Sequence, residues 1–202
     1  MRRTFSVILF IVLMLAGGAR AQSVFERIML FGAGYLSGHA VHEAGHVIAS
    51  RLTGIPMQFV FTPNDWPPFE EEIPFTPYMN RGRVMMVNEA GFGAEMAASE
   101  FILDNTPTLN TNSGYDCYLL GVLAETIVNP LAYTLIDRLT PGGWGDLRCI
   151  RQMGGEQARE DVEAIIVAHA ALTLARVAWK LGDGRTFQIS STPTSVDLCV
   201  NF

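Results

Sequence analysis

The sequence predicts a mainly α-helical domain: a four-helix bundle with an HExxH motif on the first helix of the mature domain, plus a short strand or hairpin near residues 57–87. Three observations predict it. Four apolar segments, 25–52, 84–103, 117–138 and 160–181, are each long enough for a helix and are separated by Gly/Pro-rich or polar stretches. Five of the ten prolines fall between Pro63 and Pro77, where no helix can form. No internal repeat or low-complexity linker divides the 202 residues, so residues 22–202 read as one helical domain.

The elements follow in order. The N-terminus has a basic pair, Arg2 and Arg3, an apolar run over 5–16 and the small-x-small triplet Ala19-Arg20-Ala21. Residues 1–21 therefore read as a signal peptide or an uncleaved N-terminal membrane helix. Either implies an exported or membrane-embedded protein of the cell envelope, with a soluble exported protein as runner-up. In the first helix the only formal charge between Ile28 and Ser50 is Glu43, and Gly54 and Pro56 end it. Residues 57–62 are rich in β formers and predict a strand. The second helix, 84–103, is interrupted by Gly91 and Gly93, and a polar loop spans 105–115. The third, 117–138, contains Pro130 and predicts a kink there. A glycine-rich connection, with one short helix after Asp146, leads to the fourth helix, where Glu160, Asp161 and Glu163 favour the N-terminal end. The tail from 183 is polar, with a strand expected around 186–190.

Apolar residues make up 49% of the chain and charged residues only 17%, below the roughly 25% usual for soluble domains. That shortage points to a membrane as a partner. The net charge is −6, and thirteen of the fourteen cations are arginine, none forming a basic stripe, so nucleic-acid binding is excluded. The first and third helices are expected to be long and apolar enough to span a bilayer. Glu89, Glu95 and Glu100 make the second expensive in hydrocarbon. Three cysteines are too few for a disulfide framework.

The motif is His42-Glu43-Ala44-Gly45-His46. Positions i and i+4 of a helix share a face, one turn apart, so two imidazoles can grip one zinc ion. The glutamate after the first histidine stands beside the metal and can act as general base. A Glu and two His within an apolar run are costly unless paired or metal-bound. His39, on the same stripe, reads as packing or as a partner of the ligands, and His169 as a core histidine.

Such a site needs a third protein ligand. Ala49 and Leu52 stand where a metzincin would have glycine and histidine, so that class is excluded. The remaining candidates are carboxylates: Glu89, Glu95, Asp137 and Asp146. The segment "HEAGHVIASRLTGIPMQFVF" resembles the zinc-binding segment of membrane-embedded site-2-type proteases, and "VNEAGFGAEMAASEF" resembles the helix that follows it there. That resemblance implies a zinc site completed by an aspartate eight residues after an asparagine, the spacing of Asn129 and Asp137. A second resemblance is to the peptidase part of membrane-anchored AAA metalloproteases, through HEAGH, "AGFGAE" and "GGWGDL". It also implies two histidines plus an aspartate, here Asp146. An up-down-up-down bundle returns both aspartates to the histidine end. Asp146 lies in a glycine-rich turn with no other evident purpose, so His42, His46 and Asp146 are the expected ligands and Asp137 the second choice. Glu95 is mid-helix and expected at most to support the ligands. If a disulfide exists, Cys117 and Cys199, which share the opposite end in this topology, are the favoured pair.

The expected function is a membrane-associated zinc metalloendopeptidase acting on polypeptide substrates, with Glu43 as catalytic base. Two alternatives stand beside it. Glu43-x-x-His46 is half of a di-iron carboxylate signature, although no second Glu-x-x-His occurs. A non-catalytic envelope protein with a structural metal site is the other.

Overall fold

The computed structural model describes residues 23–61, 69–73, 79–141, 143, 145–182, 187–192 and 195–200; the expected export segment lies outside them. The protein is mainly helical, with four helices packed together: α1 (Val24–Thr53), α2 (Arg81–Asn105), α3 (Gly114–Leu139) and α4 (Gly145–Leu181).

Local chemistry sets the helix ends. The Ser23 hydroxyl accepts from the Glu26 N–H, and the Glu26 carboxylate accepts from the Ser23 N–H, a reciprocal cap that starts α1. Gly54, at φ 72°, ends it, donating its N–H to the Ser50 carbonyl at 2.9 Å. The side-chain oxygens of Asn80 and Ser113 accept from the Arg83 and Asp116 N–H groups and cap the starts of α2 and α3. α4 is broken at Gly155, whose φ of 87° and ψ of 179° are not helical. The short helix expected after Asp146 and the fourth helix therefore run together across one glycine break.

α1 packs between α2 and α3, and α4 packs against the far sides of both, so α1 and α4 sit diagonally in the bundle. The α1–α3 crossing is very close. A Cβ at Gly34 would overlap the Tyr118 carbonyl, and one at Gly121 the Phe31 carbonyl. At one end of the bundle Leu103, Leu109, Leu119, Leu123 and Val177 form an apolar cluster. Phe92, Leu147, Ile150 and Ile166 form a second, and Ile55, Val84 and Val87 a third. Together they supply the apolar burial that drives the packing.

Asp137 closes the end of α3 rather than a metal site. It pairs with buried Arg159 at 3.3 Å, and Arg159 also bonds Glu163 at 2.5 Å and Glu156 at 2.6 Å. Arg138 joins the same network through Glu163. These ion pairs tie the part of α4 just after its Gly155 break to the end of α3.

Two short strand pairs, Gln58–Phe61 with Phe69–Glu72 and Phe187–Thr192 with Ser195–Val200, are antiparallel ribbons outside the four-helix core. Cys117, the residue that a disulfide with Cys199 would use, is a free thiol that donates to the Thr111 carbonyl.

Among the described residues, α3 and α4 are long and apolar enough to cross a membrane. The expectation named the first and third helices. α1 falls short because its glycines, two serines, histidines and Glu43 dilute its apolar residues, whereas the second part of α4 carries few charges. Large apolar side chains stay exposed along the outside of the bundle, among them Phe25 and Ile28 on α1, Leu131 and Leu135 on α3, and Ile165 and Leu172 on α4.

Candidate metal centre

His42 and His46 lie one turn apart on α1, 1% and 3% exposed. They face α2, which crosses so close that a Cβ on Gly45 would overlap the backbone of Ala90. Directly opposite the imidazoles is Gly91. A Cβ there would overlap both Nε2 atoms, so only glycine leaves the space between the rings open.

Asp146, in the first turn of α4, enters from the other side. Its Oδ2 lies 3.2 Å from His42 Nε2 and 3.4 Å from His46 Nε2, and the two Nε2 atoms are 2.9 Å apart. Ligands at zinc-like distances around a tetrahedral ion are separated by about 3.3 Å. The triangle is close to that size. Among the described residues it is the one group of three or more His, Cys, Asp or Glu side chains with ligand atoms so converged, and it could hold a metal ion.

The outer ring nitrogens decide what the inner ones present. His42 Nδ1 donates to Glu95 Oε1 at 2.9 Å, and His46 Nδ1 donates to the Val87 carbonyl at 2.6 Å. With both Nδ1 atoms protonated, each neutral ring turns an Nε2 lone pair inward. Two lone pairs and a carboxylate oxygen then point at one small space, an arrangement that calls for a cation. Partners of this type also fix ring orientation in metal sites. Asn129 of α3 donates to the same Glu95 oxygen at 2.6 Å, so all four helices contribute.

The carboxylates around the rings favour positive charge there, whether a proton or a metal ion. Burial works against a charged His42, but Asp146 and Glu95 on its two nitrogens outweigh it and raise its pKa well above the ordinary value. Burial likewise opposes an ionised Asp146, yet His46 and His42 beside it hold its pKa below the usual carboxylate range. Phe92 and Tyr133 close the apolar side, their rings 5.2 Å and 5.9 Å from that of His42.

Glu43 sits on the more open side, its side chain 30% exposed, with Oε1 3.6 Å from His39 Nε2. His39 faces the buried Glu125 through its other nitrogen, also at 3.6 Å. Thus His39 bridges two carboxyls beside the centre. Glu89 is half-buried and stands outside the converging group, and Asp137 belongs to the Arg159 network. His169 pairs with Glu100 at 3.3 Å on the α2–α4 face.

Sequence reading did not assign Asn129, Gly91 or the Val87 carbonyl to the centre. For Gly91 the available signal was the run "AGFGA", which marks close helix approach without saying to what, and for Asn129 it was the family spacing to Asp137. The chain matches no family model, no curated protein and no solved structure.

Proposed function

We propose that the protein is a zinc-dependent metallopeptidase that hydrolyses peptide bonds while associated with a membrane. The observation that carries this reading is the convergence of His42 Nε2, His46 Nε2 and Asp146 Oδ2 with Glu43 adjacent in sequence to the first ligand. Three protein donors, with no fourth converging among the described residues, fit a catalytic zinc site, which keeps one position for substrate chemistry. A structural zinc site would be closed by four.

Zinc there supplies Lewis acidity, polarising a peptide carbonyl and making water acidic near neutral pH. The residues supply the rest. Glu43, on the open side, takes a proton from the attacking water and returns it to the leaving amine. His39, 3.6 Å from Glu43, holds that carboxylate beside the centre. Glu95 and the Val87 carbonyl keep the imidazoles aimed. Phe92 and Tyr133 exclude water from the apolar side, which strengthens the local electrostatics.

The exposed apolar side chains of α1, α3 and α4 support a position at a lipid surface. The basic n-region and apolar run of residues 1–21 support delivery to the cell envelope.

The test is elemental analysis of the protein purified without added metal, paired with cleavage of an unfolded polypeptide. Near one zinc per chain is expected, retained in Glu43→Gln with cleavage lost, and lost in Asp146→Ala. One iron would replace the peptidase reading with oxidative chemistry, since two histidines and one carboxylate also suit ferrous iron. Folded protein without any bound metal would overturn the reading.

A further inference from the structure

His42 and His46 share one helix, but Asp146 arrives 104 residues after His42 from the turn that opens α4. The residue before it, Gly145, has φ 54°, the left-handed region that glycine adopts most readily. A Cβ on Gly145 would lie 2.6 Å from Tyr133 Cε1, 3.4 Å from Cζ and 3.5 Å from Cδ1. The edge of the Tyr133 ring therefore rests on the Gly145 backbone. The residue after Asp146, Leu147, is fully buried and packs with Phe92, Ile150 and Ile166. Asp146 is thus held between two packed neighbours, one of them seated on an aromatic ring.

The same ring reaches the first histidine. The Tyr133 and His42 rings are 5.9 Å apart, and Phe92 stands edge-on to both, 5.3 Å from Tyr133 and 5.2 Å from His42. Tyr133 follows Asn129 by four residues, so α3 presents the two on one face. Asn129 supports His42 through Glu95, and Tyr133 stands one turn further along, against the Asp146 turn. One side chain therefore lies between the backbone that carries Asp146 and the imidazole of His42.

We propose that the Tyr133 ring is the spacer that sets the distance of Asp146 from the two histidines, making Tyr133 a positioning residue for the metal centre. The inference rests on the metal-centre reading above. A metal site accepts ligand distances only within about 0.2 Å. Such precision requires that the elements carrying the ligands be locked by packing. A flat ring has a fixed width and only two side-chain torsions to freeze, so it sets a separation that a flexible aliphatic chain does not. Gly145 is glycine for two reasons that act together: its positive φ and the ring pressed against it. A smaller side chain at 133 leaves a void beside Gly145, into which the turn and its carboxylate can move.

The test compares wild type with Tyr133→Phe, Tyr133→Leu and Ile166→Ala, all shown to be folded by circular dichroism. Phenylalanine keeps the ring; leucine does not. Ile166→Ala opens the same apolar cluster but leaves the ring in place, so it measures what loss of core packing does by itself. Zinc affinity is read by competition with a chromophoric chelator, and ligand geometry by the visible absorption of the cobalt-substituted protein. Affinity is expected to stay within about threefold in Tyr133→Phe and Ile166→Ala and to fall about 10–100-fold in Tyr133→Leu. The cobalt spectrum is expected to change in Tyr133→Leu alone. Wild-type affinity and spectrum in Tyr133→Leu overturn the proposal. So does equal damage from Tyr133→Phe, which would move the role to the hydroxyl, or from Ile166→Ala, which would make it general packing. Should Tyr133→Leu fail to fold, Gly145→Ala decides in its place by forcing the turn off the ring; unchanged affinity and spectrum there overturn the spacer. A wild type that binds no zinc overturns the metal-centre reading and the spacer with it, whereas zinc bound equally by wild type and Tyr133→Leu overturns the spacer alone.

Discussion

His42 Nδ1 and Glu95 Oε1 lie 2.9 Å apart, two side chains 1% exposed and 53 residues apart in sequence. This bond turns the other nitrogen of His42 toward His46 and Asp146. It sets the tautomer that a metal needs and makes Glu95 the main support of the centre. Glu95→Ala is therefore expected to weaken zinc binding by about 10–100-fold. Chelator competition on the folded variant checks this, and unchanged affinity would remove Glu95 from the site.

Gly91 and Gly93 both lie in α2 but differ in surroundings. A Cβ at Gly91 would overlap both Nε2 atoms, whereas one at Gly93 meets nothing within 4 Å. Gly91→Ala is expected to abolish stoichiometric metal. Gly93→Ala is expected to keep it and to gain up to about 1 kcal/mol from helix propensity. Metal content and thermal unfolding measured on the pair would separate the two. Full metal occupancy in Gly91→Ala would contradict the placement of the centre.

Acid is expected to release the metal. A ligand imidazole must be neutral, so protons compete with the ion at His42 and His46. The folded His42 pKa is raised by Asp146 and Glu95 despite burial. Competition at His42 therefore begins above the ordinary histidine range and grows as pH falls. Asp146 is held low and does not contribute in that range. A plot of log apparent affinity against pH should rise with a slope approaching two through the histidine range. A flat plot from pH 5 to 8 would argue against imidazole ligation.

Asp137 and Asp146 are expected to behave oppositely. Asp137→Asn removes one partner from buried Arg159 and should cost about 3 kcal/mol of stability while leaving the metal in place. Asp146→Asn should lose the metal with a smaller effect on folding. Denaturant unfolding and metal analysis of both variants test the pair. Loss of metal in Asp137→Asn at unchanged stability would reverse the assignment.

The sequence by itself determined the two histidines, the neighbouring glutamate and the helix that carries them. Helical periodicity makes HExxH a local geometry, and local geometry depends only on residues within a turn or two. It also determined the number of helices, through apolar segments separated by Gly, Pro and polar loops. The choice of Asp146 over Asp137 needed an assumed helix order, because each ligand comes from a different part of the chain. Only the tertiary structure decided the rest. That Glu95 and Asn129 meet at His42 follows only once α2 and α3 close on α1. Gly91 looks like a helix interruption until the imidazoles occupy the space opposite it. Asp137 matched a family spacing but is held by Arg159, 22 residues later. These roles depend on distances between helices, and no periodicity within one helix encodes the partner it will meet.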